Sequence, residues 1–414
     1  MTICKRVIRC FLLISTFISV LTAQQSFWNQ LNISINTTIY AITVTAQGNI
    51  FAGTANGVFC SFDAGATWSV RSSGLPYGAD VGTIASDMAG NVYAGIYSYG
   101  VYMLKSDDTV WSEMKSGLTK TNIRSVAVHP VKQNVYVGTS NSGSFLWRKG
   151  DTSWSVMDTS LSDIHVQCFL LDTLNNLIFA GTWSGIFRSS NEGETWERLG
   201  STTSFLVTTL AITSQGVLFA GSSNVGIFRS TDNGMQWTPK NTAMFDSLVS
   251  NLVVNAKDII YTSTSMGVFF STNNGDTWIS ITGTMGRVNY LTLDAGHYLY
   301  AGTQSGTMYR SKISTTTGVE AGSMGAVSGF ALYQNYPNPF NPVTVISYSL
   351  PVETAVRLAV IDAMGREIEV IVNGRRDAGL HRVTFDAARV ASGIYFYRIT
   401  AGMYATAKKL VVIK

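Results

Sequence analysis

The sequence predicts an all-β chain in which seven copies of a four-stranded unit close into a ring, followed by a smaller β-sandwich. Three observations predict it. The stretch Phe179 to Trp196, FAGTWSGIFRSSNEGETW, recurs with variations as Phe51 to Trp68, Tyr93 to Trp111, Tyr136 to Trp154, Phe219 to Trp237, Tyr261 to Trp278 and, cut short, Tyr300 to Lys312. Trp28, Trp68, Trp111, Trp154, Trp196, Trp237 and Trp278 are spaced 40, 43, 43, 42, 41 and 41 residues apart, and a period of this size marks stacked copies of one supersecondary unit. Charged residues make up only 13% of the chain, while Ser, Thr, Asn and Gly are frequent, which suits short strands joined by many turns.

Taken in order, residues 1–23 read as a secretory signal: Lys5, Arg6 and Arg9 form a positive start without an acid, and Phe11 to Leu21 is an apolar run of 11 residues, too short to span a bilayer. Ala23 is the expected last residue removed. No other stretch reads as a transmembrane helix, and no small-residue-then-Cys pattern marks a lipid anchor. The formal charge of +4 falls to +1 once those three cations leave, so the mature chain has no nucleic-acid footprint. Cys4 and Cys10 leave too. Cys60 and Cys168 fall in units three apart, so two buried free thiols are expected rather than a disulfide, although export would permit one.

Residues 25–312 hold the repeat. In the first unit the strands are Ile39 to Thr45, Asn49 to Thr54, Gly57 to Ser61 and Thr67 to Arg71. A lone four-stranded meander cannot bury both faces, whereas radial stacking packs each sheet on the next. In the turn Ser61 to Trp68, Asp63 is placed to accept backbone amides, Gly65 to adopt a conformation costly for other residues, and Trp68 to insert between neighbouring sheets. The same lettering gives Asn191, Gly193 and Trp196, then Asp232, Gly234 and Trp237, then Asn273, Gly275 and Trp278. The second and third units, KSDDTVW and RKGDTSW, have lost the glycine spacing, so their hairpins should differ. The seventh hairpin has no Trp after it and Trp28 has no hairpin before it. SFWNQLN is therefore expected to supply the outer strand of the last unit, closing a seven-bladed β-propeller.

These Ser-x-Asp-x-Gly-x-x-Trp turns resemble the Asp-boxes, or BNR repeats, of sialidases, sortilin-type receptors, xyloglucan-hydrolysing enzymes and the photosystem II stability factor family, the blade lettering being closest to the last. The resemblance implies a propeller whose boxes lie on the rim opposite the usual ligand face. It is specific for fold and poor for activity.

Residues 313–329, rich in Ser, Thr and Gly, read as a flexible linker. Composition then shifts: residues 330–414 carry ten Lys or Arg and six Asp or Glu, against sixteen and nineteen in residues 24–329. Strand-like runs cover Val343 to Leu350, Ala355 to Ile361, Arg366 to Val372, Leu380 to Phe385, Gly393 to Thr400 and Met403 to Ile413, bounded by Pro351, Gly365, Asn373-Gly374, Gly379 and Gly402. This segment resembles the C-terminal sorting domain of the type IX secretion system through YPNPFNP (Tyr336 to Pro342, with Pro337, Asn338, Pro339 and Phe340), Gly365, the Gly393 to Arg398 run with Tyr395, and the terminal Lys414. A flagellar-hook-cap immunoglobulin-like domain shares part of the pattern. The resemblance implies an immunoglobulin-like sandwich, contact with the type IX secretion machinery through residues 330–414, passage to the outer-membrane surface or the medium, and cleavage of the tail.

In a propeller the default binding site is the open end of the channel, lined by the loops leading into the innermost strands and by the loops after Ala-Gly-Thr. These hold Arg71, Tyr77, Asp80, Tyr97, Tyr99, Lys120, Arg124, Asp163, His165, Trp183, Asp246, Met266 and Arg287. Trp183 is the only Trp in such a turn, and either stacks on a sugar or peptide or packs on a neighbouring loop. A sialidase would need three arginines, a Tyr with a Glu, and an Asp. Arg71, Arg124 and Arg287 fit the first need, but no Glu lies in these loops. A glycosidase needs two carboxylates at a set separation, and Asp80, Asp163 and Asp246 lie in blades too far apart to pair. His129, His165, His297 and His381 lack metal-ligand spacing. The residues thus point to a non-catalytic binding or display module for a glycan or protein, with no catalytic set, no metal and no cofactor. The alternative is a sialidase- or xyloglucanase-like hydrolase. Arg188, Arg229 and Arg310 recur at one repeat position and are expected to join blade to blade.

Overall fold

A computed structural model describes residues 27–33, 35–119, 121–157, 165–200, 206–241, 248–282, 285–316, 330–335, 337–350, 353–362, 364–377, 379–402 and 404–413. The signal segment, Lys120, Asp163, Asp246, most of the expected linker, Tyr336, Pro351 and Lys414 lie outside them.

Seven four-stranded antiparallel sheets follow one another along the chain, each running from an innermost to an outermost strand. In blade 1 these are Ile39–Val44, Ile50–Thr54, Gly57–Ser61 and Ser69–Val70. Blade 7 takes Val288–Leu293, Leu299–Thr303 and Met308–Ser311 from the end of the ring and Trp28–Gln30 from its start, with Trp28 opposite Ser311 and Gln30 opposite Tyr309. The ring is a seven-bladed β-propeller fastened by its first strand, as the tryptophan count predicts. That strand covers the edge of Met308–Ser311 and becomes the short outer strand of the blade. At the seam, Thr38 Oγ1 donates to the Gln304 carbonyl (3.0 Å) and Asn289 Nδ2 to the Ile39 carbonyl (3.2 Å).

The Ala-Gly-Thr signature is explained by how closely blades approach. A Cβ built on Gly53 would lie 2.8 Å from the Val81 carbonyl oxygen, one on Gly95 2.5 Å from an Ile123 methyl, one on Gly221 2.5 Å from a Val249 methyl, and one on Gly302 2.6 Å from an Ile39 methyl. Each glycine of the second strand is thus the seat for the first residue of the next blade. In every blade the pairing of the first two strands skips one residue just after that seated position: Tyr40, Gly82, Arg124, Gln167, Thr208, Ser250 and Asn289. Such a bulge bends a strand and redirects a side chain.

The turn lettering folds as a small hydrogen-bonded knot. Ser61 Oγ donates to Asp63 Oδ1 (2.7 Å) and accepts from Gly65 N (2.8 Å), while Asp63 Oδ1 accepts from Thr67 N (2.8 Å). The set repeats around Asn191 and Gly193, Asp232 and Gly234, and Asn273 and Gly275. The left-handed backbone falls on two residues, not on the glycine alone: Ala64 and Gly65 have φ of 56° and 92°. Blades 2 and 3 use a different device, in which Asn91 Oδ1 accepts from Ser106 N and Asn134 Oδ1 from Lys149 N.

The tryptophans divide into classes. Trp28, Trp111, Trp154 and Trp278 are buried, and their indole N–H groups cross to the preceding blade, at the carbonyls of Ile281, Arg71, Met114 and Lys240. Trp196 is buried as well. Trp68 and Trp237 pack on the apolar clusters between blades 7 and 1 and between blades 4 and 5, as expected, but are only half-buried and donate within their own turns, to Gly65 O and Gly234 O. There Leu31 and Leu199 of the preceding blade fill the space against the glycine. Arg188 Nη1 and Arg229 Nη1 reach the carbonyls of Asn233 and Asn274 on the next blade (3.1 and 2.7 Å). Cys60 is buried and Cys168 half-buried, both free, with burial pushing the Cys168 thiol up to about 12.

Beyond Ser311 the chain stays on the ring as far as Thr316, within the stretch read as the start of the linker. Thr315 is buried, its N–H donating to the His297 carbonyl and its own carbonyl accepting from Asn255 Nδ2. The second unit, from Phe330, is a two-sheet sandwich. One sheet holds Ala331–Leu332, Val343–Leu350 and Gly379–Asp386, the other Glu367–Arg376, Thr354–Ile361, Gly393–Ala401 and Tyr404–Val412. Ile346, Tyr348, Leu358, Phe385, Tyr397 and Leu410 fill the space between. Asn373-Gly374, read as a turn, instead lies inside a strand that runs on to Arg376, because Thr354, Ala355 and Val356 pair across Arg376, Arg375 and Gly374.

Candidate functional site

The starts of the innermost strands and the turns between second and third strands share one face of the ring, the loop face. The Ser-x-Asp/Asn-x-Gly turns and the turns between first and second strands share the opposite one, the turn face. On the loop face the structure gathers side chains from three consecutive blades. Tyr97, in the turn of blade 2, is 42% exposed, and Arg124, the bulged residue of blade 3, lays its guanidinium over that ring at 5.1 Å from the centroid. Among the seven bulged positions Arg124 is the charged one. Tyr97 N donates to the Asp80 carbonyl (3.2 Å). Partial desolvation holds the Asp80 carboxyl above its ordinary range, opposed by the Arg124 charge.

In blade 4, Trp183 is 48% exposed and stacked on His165, ring centroids 4.1 Å apart and planes 6° from parallel. One face of the indole is thus covered by the residue that leads into its own blade, and the side chain still presents surface to solvent. Arg198 Nη2 donates to the Ser184 carbonyl, pinning this turn from the outer strand. The stack was not legible beforehand, although the repeat already places both residues on the loop face of one blade. Tyr99 is 47% exposed and borders a cleft of about 240 Å³ with Leu118 and Thr121. Arg287 sits at the start of blade 7, where its carbonyl accepts from Gln304 N, away from the blade 2 to 4 sector.

Arg71 does not join this face. Its guanidinium runs to the turn face, over the Phe62 ring at 5.5 Å, and donates to the Asp108 carbonyl at 3.5 Å. The expected trio of Arg71, Arg124 and Arg287 is therefore not assembled, because the outer strand directs Arg71 toward the neighbouring turn. Asp80 is the described member of the three carboxylates, Asp163 and Asp246 lying outside the described residues. Among the described residues no three His, Cys, Asp or Glu side chains gather in a metal-binding arrangement.

In the tail, the Asn-Pro motif clips the last strand. Asn338 Oδ1 accepts from Val411 N (2.8 Å) and its Nδ2 donates to the Lys409 carbonyl (3.2 Å). Phe340 is buried, exchanges backbone hydrogen bonds with Val411 and Ile413, and meets Phe385 edge-on at 6.1 Å. The Pro337 carbonyl accepts from Thr344 Oγ1 (2.8 Å). Gly365 closes a turn at φ 80°, Gly393 opens a strand, and Tyr395 OH donates to the Ala391 carbonyl.

No curated protein matches the chain in sequence. Among solved structures it is similar to PorZ, an essential bacterial surface component of the type-IX secretion system of Porphyromonas gingivalis, at 15% identity and a TM-score of 0.54, covering 93% of this chain and 61% of that one. It is similar to the extracellular domain of BT4673 from B. thetaiotaomicron, at 13% identity and 0.60, over 78% and 46% of the two chains. YCF48 bound to D1 peptide gives 14% identity and 0.56, over 70% and 97%. The chain thus spans about three fifths of PorZ and under half of BT4673, and the likeness is one of fold. No helix among the described residues is long and apolar enough to cross a membrane. Residues 334–414 match the family model of the secretion system C-terminal sorting domain. The chain is a β-propeller carrying a type IX sorting tail, and that tail marks it for export to the outer-membrane surface or the extracellular space.

Proposed function

We propose that the ring is a non-catalytic binding or display module whose ligand, a glycan or a protein segment, lies on the loop face of blades 2 to 4. The observation that carries this reading is the pair of half-exposed planar stacks in that sector, Arg124 on Tyr97 and His165 on Trp183. Both present flat polarisable surface that is already ordered, which lowers the entropy lost on binding. Residues 1–23 serve as the removed signal, the segment after Thr316 as a linker, and residues 330–414 as the segment handled by the secretion machinery. That YCF48, a propeller of like fold, is seen with a D1 peptide makes a peptide a reasonable first ligand to try.

A glycan array and a peptide screen with the mature chain test the proposal. A hit should weaken about tenfold or more in Trp183→Ala or Tyr97→Ala, the usual cost of losing an aromatic anchor. One observation favours a second reading, hydrolysis of a glycan: Asp80, its carboxyl raised by partial desolvation against the Arg124 charge, is a carboxylate on the loop face where a general acid would have to stand. Turnover by the purified protein that disappears in Asp80→Asn would replace binding by catalysis.

A further inference from the structure

We propose a second binding site, on the turn face between blades 1 and 2, that takes a carboxylate carried on an aromatic ring. The repeat supplies its own control. Three residues after the tryptophan, the other blades carry Leu31, Met114, Met157, Leu199, Lys240 and Ile281, and blade 1 carries Arg71. Lys240, the other cation, is neutralised by Asp276 of the next blade at 2.7 Å. Asp276 stands two residues before Trp278, and the residue two before Trp111 is Thr109. Arg71 therefore faces a turn with no acid at that position, its acids standing one and two residues earlier, at Asp108 and Asp107. Among the described residues its guanidinium makes no ion pair, the one hydrogen bond of that group is the 3.5 Å contact to the Asp108 carbonyl, and its Nε is buried without a partner.

A second departure from the repeat meets the first. The residue after the turn serine is Ser190, Thr231 or Thr272 in the kindred turns and Phe62 in blade 1. Its ring is 55% exposed, set edge-on to Phe51 at 6.2 Å, under the Arg71 guanidinium. Phe62 and Arg71 both line a cavity of about 300 Å³, together with Phe51, Leu104, Lys105, Asp107 and Asp108. Lys105 and Arg71 together balance the charges of Asp107 and Asp108, and Arg71 is the cation laid over the Phe62 ring. An aromatic ring fits against Phe62 and Phe51, and a carboxylate supplies the partner that Arg71 lacks, in the charge-assisted geometry guanidinium favours. This site is independent of the loop-face sector, and its loss leaves that reading untouched.

The mature chain is titrated with phenylacetate and with acetyl-glycyl-phenylalanine, and with phenethylamine as the charge-reversed control, by calorimetry or chemical-shift mapping. A carboxylate probe is expected to bind at least tenfold more tightly than phenethylamine, and the tighter of the two tells whether a free acid or a peptide terminus is preferred. Arg71→Met, which installs the residue of blades 2 and 3, and Phe62→Ser should each weaken it, the former at least tenfold. Thr109→Asp, which restores the acid that pairs Lys240, should also abolish binding while Tm holds or rises, so that lost folding cannot mimic the effect. Phenethylamine binding as tightly as the acids, or binding unchanged in Arg71→Met and Thr109→Asp, would overturn the proposal.

Discussion

Gly53, Gly95, Gly138, Gly181, Gly221 and Gly302 hold the blades at close range, and blade 6 alone among the seven has Ser263 at this place. The Ser263 hydroxyl is buried with no hydrogen-bond partner. Leaving such a group unpaired costs about 1–3 kcal/mol, while a glycine in a strand costs roughly 0.5–1 kcal/mol in entropy. Ser263→Gly should therefore stabilise the ring by about 1 kcal/mol, read as a higher Tm. Gly95→Ala should cost about 1–3 kcal/mol through overpacking against Ile123 and Thr83. Electrostatics acts at the turns. Hydrogen bonds from the Thr67 hydroxyl and amide and from Ser61 hold the Asp63 carboxyl down at about 2. A carboxyl lowered on folding adds stability above its unfolded value, and that stability is lost as pH falls through the folded one. Asp63→Asn should flatten the loss of Tm between about pH 4 and pH 2 while leaving neutral pH nearly unchanged, since Asn191 and Asn273 already build the same turn uncharged.

At the scale of the element, strands, turns and the sealing strand were legible because they follow from period and lettering. Tryptophans every forty-odd residues count the blades, and one Trp without a hairpin identifies the strand that closes them. Side-chain direction was not legible. Arg71 and Trp68 sit at repeat positions whose partners belong to the adjacent blade, and it is the neighbour's residues, Asp108 for one and Leu31 for the other, that decide where they point. Asn373-Gly374 carries a strong turn signal, overridden by pairing with Thr354 to Val356. The His165–Trp183 stack joins residues 18 apart in sequence, across a hairpin that lettering cannot aim. Two elements give tests. Trp28 is buried and its indole donates to the Ile281 carbonyl at 2.6 Å. Trp28→Ala should cost about 3–5 kcal/mol and loosen blade 7 first, seen as faster amide exchange at Tyr309 and Ser311. In the tail, Asn338→Ala leaves the Val411 amide unpaired and should cost about 1–2 kcal/mol, with exchange faster along Tyr404–Val412.

At the scale of the whole molecule, the tail marks the chain for export, and the ring is the part for which a binding role is proposed. Removing residues 330–414 should leave a ring of unchanged Tm that stays inside the outer membrane, checked by fractionation; normal surface delivery of the shortened chain would count against the tail's role. Ligands found by screening the mature wild-type chain should be titrated against Trp183→Ala and against Phe62→Ser, one variant on each face. Binding weakened about tenfold or more by the change at Trp183 and untouched by the change at Phe62 is the result expected of a ligand seated across blades 2 to 4. Full affinity in Trp183→Ala would contradict that placement.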